Sequence, residues 1–224
     1  LFMAGNIELE KLEKILDSNV KVPEKAFRAI LKETNEPDTI NESYMEEKLS
    51  VSIPMFSCGY KDININVTGK ELARKSLITS IMLKLFSSDS SPLYQKLYDS
   101  GLINDSFYDD VTLNEDYGFV QFGGESENPN EVMKLIKEEA KRICDEGFLK
   151  EDFERIKNMF YGKYIKSFNN VESVGNSFCS NYFLGIGVFD FLEIYDTITL
   201  DDINNGFKAL FCEDRFVMSV INPV

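Results

Sequence analysis

Apolar residues recur along this chain at two periods, and the switches between them predict its elements. Leu9, Leu12, Ile15 and Leu16 fall at helical spacing behind Asn6, a candidate N-cap, which predicts a helix from Ile7 to about Leu16. The apolar run Leu1–Ala4 before it has the character of a strand interior. Residues 17–48 are dominated by charge and punctuated by Pro23, Asn35, Pro37 and Asn41, so they read as a connecting segment, with a helical turn possible over Ala26–Lys32. Val51, Ile53 and Met55 then alternate through a strand over Leu49–Tyr60, where Pro54 argues for an edge or a bulge.

Thr68 and Glu71 have capping-box spacing ahead of a helix whose stripe is Ile78, Ile81, Met82, Leu85 and Phe86. Ser91-Pro92 opens a short helix that Gly101 should end as a left-handed residue. Two strands follow, Ile103–Leu113 and Tyr117–Gly124, joined by Asn114-Glu115-Asp116. Asn128-Pro129 caps a helix carrying Val132, Leu135, Ile136, Ala140 and Ile143, closed by Gly147. A second helix runs from Lys150 to about Phe168, with Phe153, Ile156, Phe160 and Tyr164 on one face. Gly185-Ile186-Gly187 reads as a helix-breaking loop. Thr199 and Asp202 form another capping-box pattern, for a helix ending near Phe211, and Arg215–Ile221 is the final strand. Strands interrupted by helices, with one hairpin, predict an α+β domain: a mostly antiparallel sheet with helices packed on one face.

Composition narrows the function. The formal charge of −14 disfavours nucleic acid and anionic membrane surfaces, whose binding needs clustered Lys and Arg. No apolar run reaches the roughly 20 residues of a membrane helix. Cys58, Cys144, Cys179 and Cys212 form no C-x-x-C pair and read as reduced thiols, which fits a cytoplasmic setting. The chain has no histidine, which removes any His-based metal site or catalytic triad. Its paired carboxylates (Glu46-Glu47, Asp109-Asp110, Glu115-Asp116, Asp201-Asp202) are adjacent, as on solvated turns and helix starts, and do not signal an opposed catalytic pair. Gly123-Gly124, ending a strand, reads as a turn or as a place where a peptide backbone could approach closely.

The stretch Ser90–Gly124 is more specific. Leu93-Tyr94-Gln95-Lys96-Leu97-Tyr98 followed by Gly101-Leu102-Ile103-Asn104 resembles the pattern L-[FY]-x-x-[LV]-R-x-K-x-G-L-x-Y of the insulinase/pitrilysin family of zinc metallopeptidases. The strand and cap at Tyr117–Gly124 and Asn128-Pro129, the opening LFMAGN with its acidic helix, and the helix-Gly-helix run EEAKRICDEGFLKEDFERIKN resemble the same family. The resemblance covers nearly the whole chain. It points to bacterial two-domain members, in which a catalytic half carrying H-x-x-E-H and zinc precedes a non-catalytic half.

That resemblance implies a division of the chain. Residues 1–17 would be the last strand and helix of a preceding homologous half, residues 18–48 an interdomain linker, and residues 49–224 the non-catalytic, peptidase-like domain. Zinc is implied for the parent protein and no cofactor for this segment. The implied partners are the N-terminal catalytic half, or a homologous subunit, and a peptide substrate held as an extended strand. Family members also reach from the second half toward the substrate carbonyl with an Arg and a Tyr. Tyr98 stands at the Arg position; with the loop one residue shorter, Asn104 stands at the Tyr position, next to Asp105. These three are the candidate substrate-binding residues, with no catalytic or metal residue assigned. The expected function is the half of a zinc-dependent metallopeptidase that closes the chamber over an extended peptide. Two alternatives remain: a catalytically inactive homologue serving as a structural or partner subunit, and an unrelated acidic α+β interaction module.

Overall fold

A computed structural model describes residues 2–3, 5–21, 36–187 and 189–224. Its order is α1 (Leu9–Asn19), β1 (Tyr44–Leu49), β2 (Met55–Asp62), α2 (Gly69–Ser87), α3 (Pro92–Asp99), β3 (Tyr108–Leu113), β4 (Gly118–Glu125), α4 (Pro129–Glu146), α5 (Lys150–Ser167), α6 (Val171–Phe183), α7 (Asp190–Thr197), α8 (Leu200–Leu210) and β5 (Phe216–Pro223). The five strands form one sheet in the order β1-β5-β2-β4-β3. Every pairing is antiparallel except β1 with β5.

Alternation along the strands makes the sheet two-sided. Phe56, Cys58 and Tyr60 of β2, Val120 and Phe122 of β4, and Phe216, Met218 and Val220 of β5 are buried in one core with the helices. Intervening residues such as Met55, Phe119 and Ser219 are exposed on the other face. Within the helical layer, α2 touches α3, α5, α7 and α8. Its stripe of Ile78, Ile81, Met82, Leu85 and Phe86 is buried throughout. Burial pushes the Cys58 thiol up to about 12, which leaves it an inert core residue.

Several caps form as the sequence predicts. The Ser91 side chain accepts from the Tyr94 N–H at 3.1 Å, and Asn128 from the Glu131 N–H at 3.3 Å. Thr199 and Asp202 complete a capping box. Gly101 and Gly147 follow their helices at φ +69° and +78°, backbone that a Cβ would strain.

Other expectations are corrected. Tyr44–Leu49, read as connecting chain, is an edge strand paired in parallel with β5. Its Glu46, Glu47 and Lys48 are solvent-facing charges of the kind that blunts a sheet edge, and they hid the strand in the sequence. The next strand begins at Met55 and is interior, so Pro54 lies just before it, where its carbonyl accepts from the Ser126 N–H at 3.0 Å. Thr68 makes no side-chain cap bond, because the chain enters α2 through Gly69 at φ +55°. α1 is entered from Glu8, not Asn6, and ends at Asn19. Phe2 and Met3 are outside any strand; Leu1, Ala4 and the proposed turn over 26–32 lie outside the described residues.

Asp202 joins this frame to pH. Burial pushes its carboxyl up, but hydrogen bonds from Arg74 and Thr199 outweigh burial and hold it below the usual carboxylate range. Arg74 on α2 meets it at 2.9 Å. Because the folded value lies below the unfolded one, this stabilisation is complete above about pH 4 and is lost as pH falls through the folded value. Asp202→Asn is therefore expected to lower the urea midpoint at neutral pH and to narrow the gap between neutral and acidic midpoints. An unchanged gap would assign the acid sensitivity to other groups.

Candidate functional site

The site begins at α3. Ser91 caps it, Pro92 starts it, and Leu93 and Leu97 bury its inner face, so Tyr98 in the last turn is left 49% exposed. The helix closes with the Leu102 N–H on the Leu97 carbonyl at 3.0 Å and the Gly101 N–H on the Tyr98 carbonyl at 2.9 Å. Ile103 then plugs into the core and fixes the following loop. The Asn104 side-chain oxygen accepts from the Ser106 N–H at 2.8 Å, an Asx turn, so β3 starts at Tyr108 and not at Ile103. Two bonds tie the loop to the end of β4: Asn104 Nδ2 donates to Glu125 Oε2 at 3.2 Å, and the Glu125 N–H donates to Ser106 Oγ at 2.8 Å.

Tyr98, Asn104 and Asp105 therefore line one shallow pocket of about 500 Å³ together with Ile103, Ser106 and Glu125. Tyr98 stacks on Tyr94 with ring centroids 5.9 Å apart, and Tyr94 meets Phe107 edge-on. Burial, then the charges of Asp89 and Asp105, push the Tyr94 phenol up, so it stays protonated. The pocket lining offers a phenol, an amide, a hydroxyl and two carboxylates, and no cation. It can hydrogen-bond a peptide. It does not supply the positive charge that would stabilise a tetrahedral oxyanion. Sequence reasoning missed Ser106, in the same loop, and Glu125, which reaches the site only through the pairing of the loop with the end of β4.

Gly123-Gly124 does not open the sheet to a ligand backbone. A Cβ at Gly123 would lie 2.5 Å from the Tyr108 hydroxyl, and one at Gly124 would lie 3.0 Å from the Phe107 Cα. The glycines make room for the chain's own β3 side, where Tyr108 crosses Gly123 and accepts from Gln121 Nε2 at 2.6 Å. Asp109 is likewise spoken for, by Lys84 and by Ser87 at 2.7 Å. On the open sheet face, a groove of about 650 Å³ runs between the strap Glu36–Glu42 and a floor that includes Ser57, Gly59, Phe119 and Gln121. Lys61 pins the strap through Glu36 at 3.0 Å.

Zinc does not fit this chain's donor set. Histidine is absent, and among the described residues no three Cys, Asp or Glu side chains converge as metal ligands. No helix among the described residues is long and apolar enough to cross a membrane.

The model of the peptidase M16 inactive domain matches residues 1–160. The chain belongs to that family, as the inactive, C-terminal type of domain of zinc-protease-like proteins. Among its relatives is YmfH of Bacillus subtilis (strain 168), described as an uncharacterized zinc protease, which is 27% identical over 225 residues. The match covers 100% of this chain and 52% of YmfH, so the chain spans about half the length of that curated relative.

Solved structures share the fold. A protein of Alicyclobacillus acidocaldarius assigned as an M16-like peptidase superposes with a TM-score of 0.89 at 23% identity, over 98% of this chain and 53% of that one. The inactive peptidase domain of a protein assigned as a zinc protease in Bordetella parapertussis gives 0.64 at 15% identity, over 80% of this chain and 95% of that one.

Proposed function

We propose that this chain is the non-catalytic half of a bacterial, cytoplasmic zinc metallopeptidase, closing its chamber and helping to hold an extended peptide. The observation that carries the reading is the match to an inactive peptidase domain in a chain without histidine. The zinc and its H-x-x-E-H motif belong to a preceding homologous half, whose last elements are residues 1–17. A linker over 18–48 joins the halves, except that its last residues, from Tyr44 on, are part of the edge strand β1. In support, α1 carries no buried residue, as suits a helix whose apolar face packs elsewhere. Tyr98, Asn104 and Asp105 contact the peptide by hydrogen bonds, and the open-face groove offers a second surface for it. The free cysteines and bacterial relatives support the compartment and source.

The test separates the parent from this segment. The parent chain is expected to cleave an unfolded peptide only with zinc bound. The 224-residue chain, incubated with zinc and dialysed, is expected to retain no metal and cleave nothing. Hydrolysis by that segment alone would overturn the reading.

A second reading, a catalytically inactive homologue acting as a partner subunit, is favoured by the missing cation at Tyr98. Its test is the upstream sequence. H-x-x-E-H there supports the peptidase, and its absence supports the partner subunit.

A further inference from the structure

One part of the helical layer is covered by little of the described chain. On α6 and the turn after it, Tyr182 is 69% exposed, Phe183 85% and Phe189 71%, with Phe178, Leu184 and the neighbouring Phe168 of the α5 end also open. Single exposed apolar residues need no explanation, but grouped exposed aromatics mark an interface. These rings are ordered in two sets, one along α6 and one between the α5 end and Phe189. Phe178 stacks on Tyr182 at 6.4 Å, Tyr182 meets Phe183 edge-on at 5.8 Å, and Phe168 stacks on Phe189 at 6.2 Å. Prearranged rings lose little freedom when a partner docks, which is the chemistry of a binding anchor.

The structure also shows what lies against this surface. The Phe2 ring packs on Phe178 with centroids 5.2 Å apart. It sits so close to α6 that a Cβ at Gly175 would be 2.9 Å from it. Phe2 precedes α1, in the stretch that the proposed function gives to the preceding half. We infer that the aromatic face formed by α6 with Leu184 and Phe189 is the seat on which the preceding half of the parent chain docks, with Phe2 as its last anchor. The inference rests on that reading of residues 1–17. It adds the surface through which the two halves hold each other, on the helical layer and away from the Tyr98 pocket. It also accounts for Gly175, which leaves room for the Phe2 ring close against the helix.

A photo-crosslinking phenylalanine analogue placed at Phe183 in the full parent chain tests this, since so exposed a position tolerates the change. The expected product is an intramolecular crosslink to peptides upstream of Leu1. Hydrogen exchange adds a second measurement. Amides of 176–187 in the parent are expected to exchange about tenfold faster once Phe183→Asp is introduced. Crosslinks only to a second copy, crosslinks only to other proteins, or none at all would overturn the inference, as would unchanged exchange. If the upstream sequence holds no homologous half, the reading of residues 1–17 fails and takes the inference with it. If the half is present and no crosslink forms, the inference alone fails.

Discussion

Replacing Phe86 with alanine is expected to cost the fold about 3–5 kcal/mol, the largest loss of any single truncation proposed for this chain. Phe86 is 2% exposed and belongs to α2, the helix that touches α3, α5, α7 and α8. Its ring lies 5.6 Å from Phe122 on β4, 5.3 Å from Phe207 on α8 and 5.0 Å from Phe211 just beyond it. Phe207 and Phe211 are themselves stacked at 3.8 Å. Truncation therefore loses the transfer energy of one ring and leaves a cavity bounded by three others, which are fixed by a strand and a helix and cannot collapse inward. Domains of this size hold roughly 5–15 kcal/mol in total, so the variant should unfold at a much lower urea concentration with the slope unchanged. Phe183→Ala is the matched control: the same chemistry at an 85% exposed ring should stay within about 0.5 kcal/mol in the 224-residue chain. A loss of similar size from both would mean that the Phe86 cluster is not the centre of the core.

The elements read correctly from sequence are those whose local chemistry and burial agree. α4 is one: Asn128-Pro129 starts it, Gly147 stops it, and Val132, Leu135, Ile136, Ala140 and Ile143 are all buried. α8 is another, with its capping box and buried Ile203, Phe207 and Leu210. β1 was illegible because an edge strand with solvated charges has no apolar alternation to read, and its partner β5 is more than 160 residues away in sequence. The candidate site was half legible. Family resemblance picked out Tyr98, Asn104 and Asp105, and the α3 stop with the Asx turn brings them to one pocket. Glu125 joins them through strand pairing, which a linear motif does not encode. The aromatic face of α6 was invisible for a different reason: exposed and buried aromatics look alike until the helix is seated, and α6 buries only Gly175.

Gly59→Ala should be the most damaging substitution in the sheet, at about 3 kcal/mol. Gly59 lies in β2 between β4 and β5, opposite Gln121 and Val217. Its φ is outside the left-handed region, so alanine suits the backbone angles and the cost is purely one of space. A Cβ there would stand 2.0 Å from the Val120 carbonyl oxygen and 3.1 Å from the Gln121 Cα. Both are main-chain atoms of the neighbouring strand. A side chain in the way could rotate, but here β4 or β2 must move, and each is held by a ladder on both sides. The shift would break β2–β4 hydrogen bonds and raise the floor of the open-face groove, to which Gly59 belongs. The expected results are a lowered urea midpoint and faster amide exchange concentrated in β2 and β4. Gly162→Ala calibrates the measurement, because nothing lies within 4 Å of a Cβ at that helical position. There alanine should stabilise by up to about 1 kcal/mol. If both alanines proved harmless, β2 and β4 could not be as close at Gly59 as this pairing requires, and the groove floor would have to be redrawn.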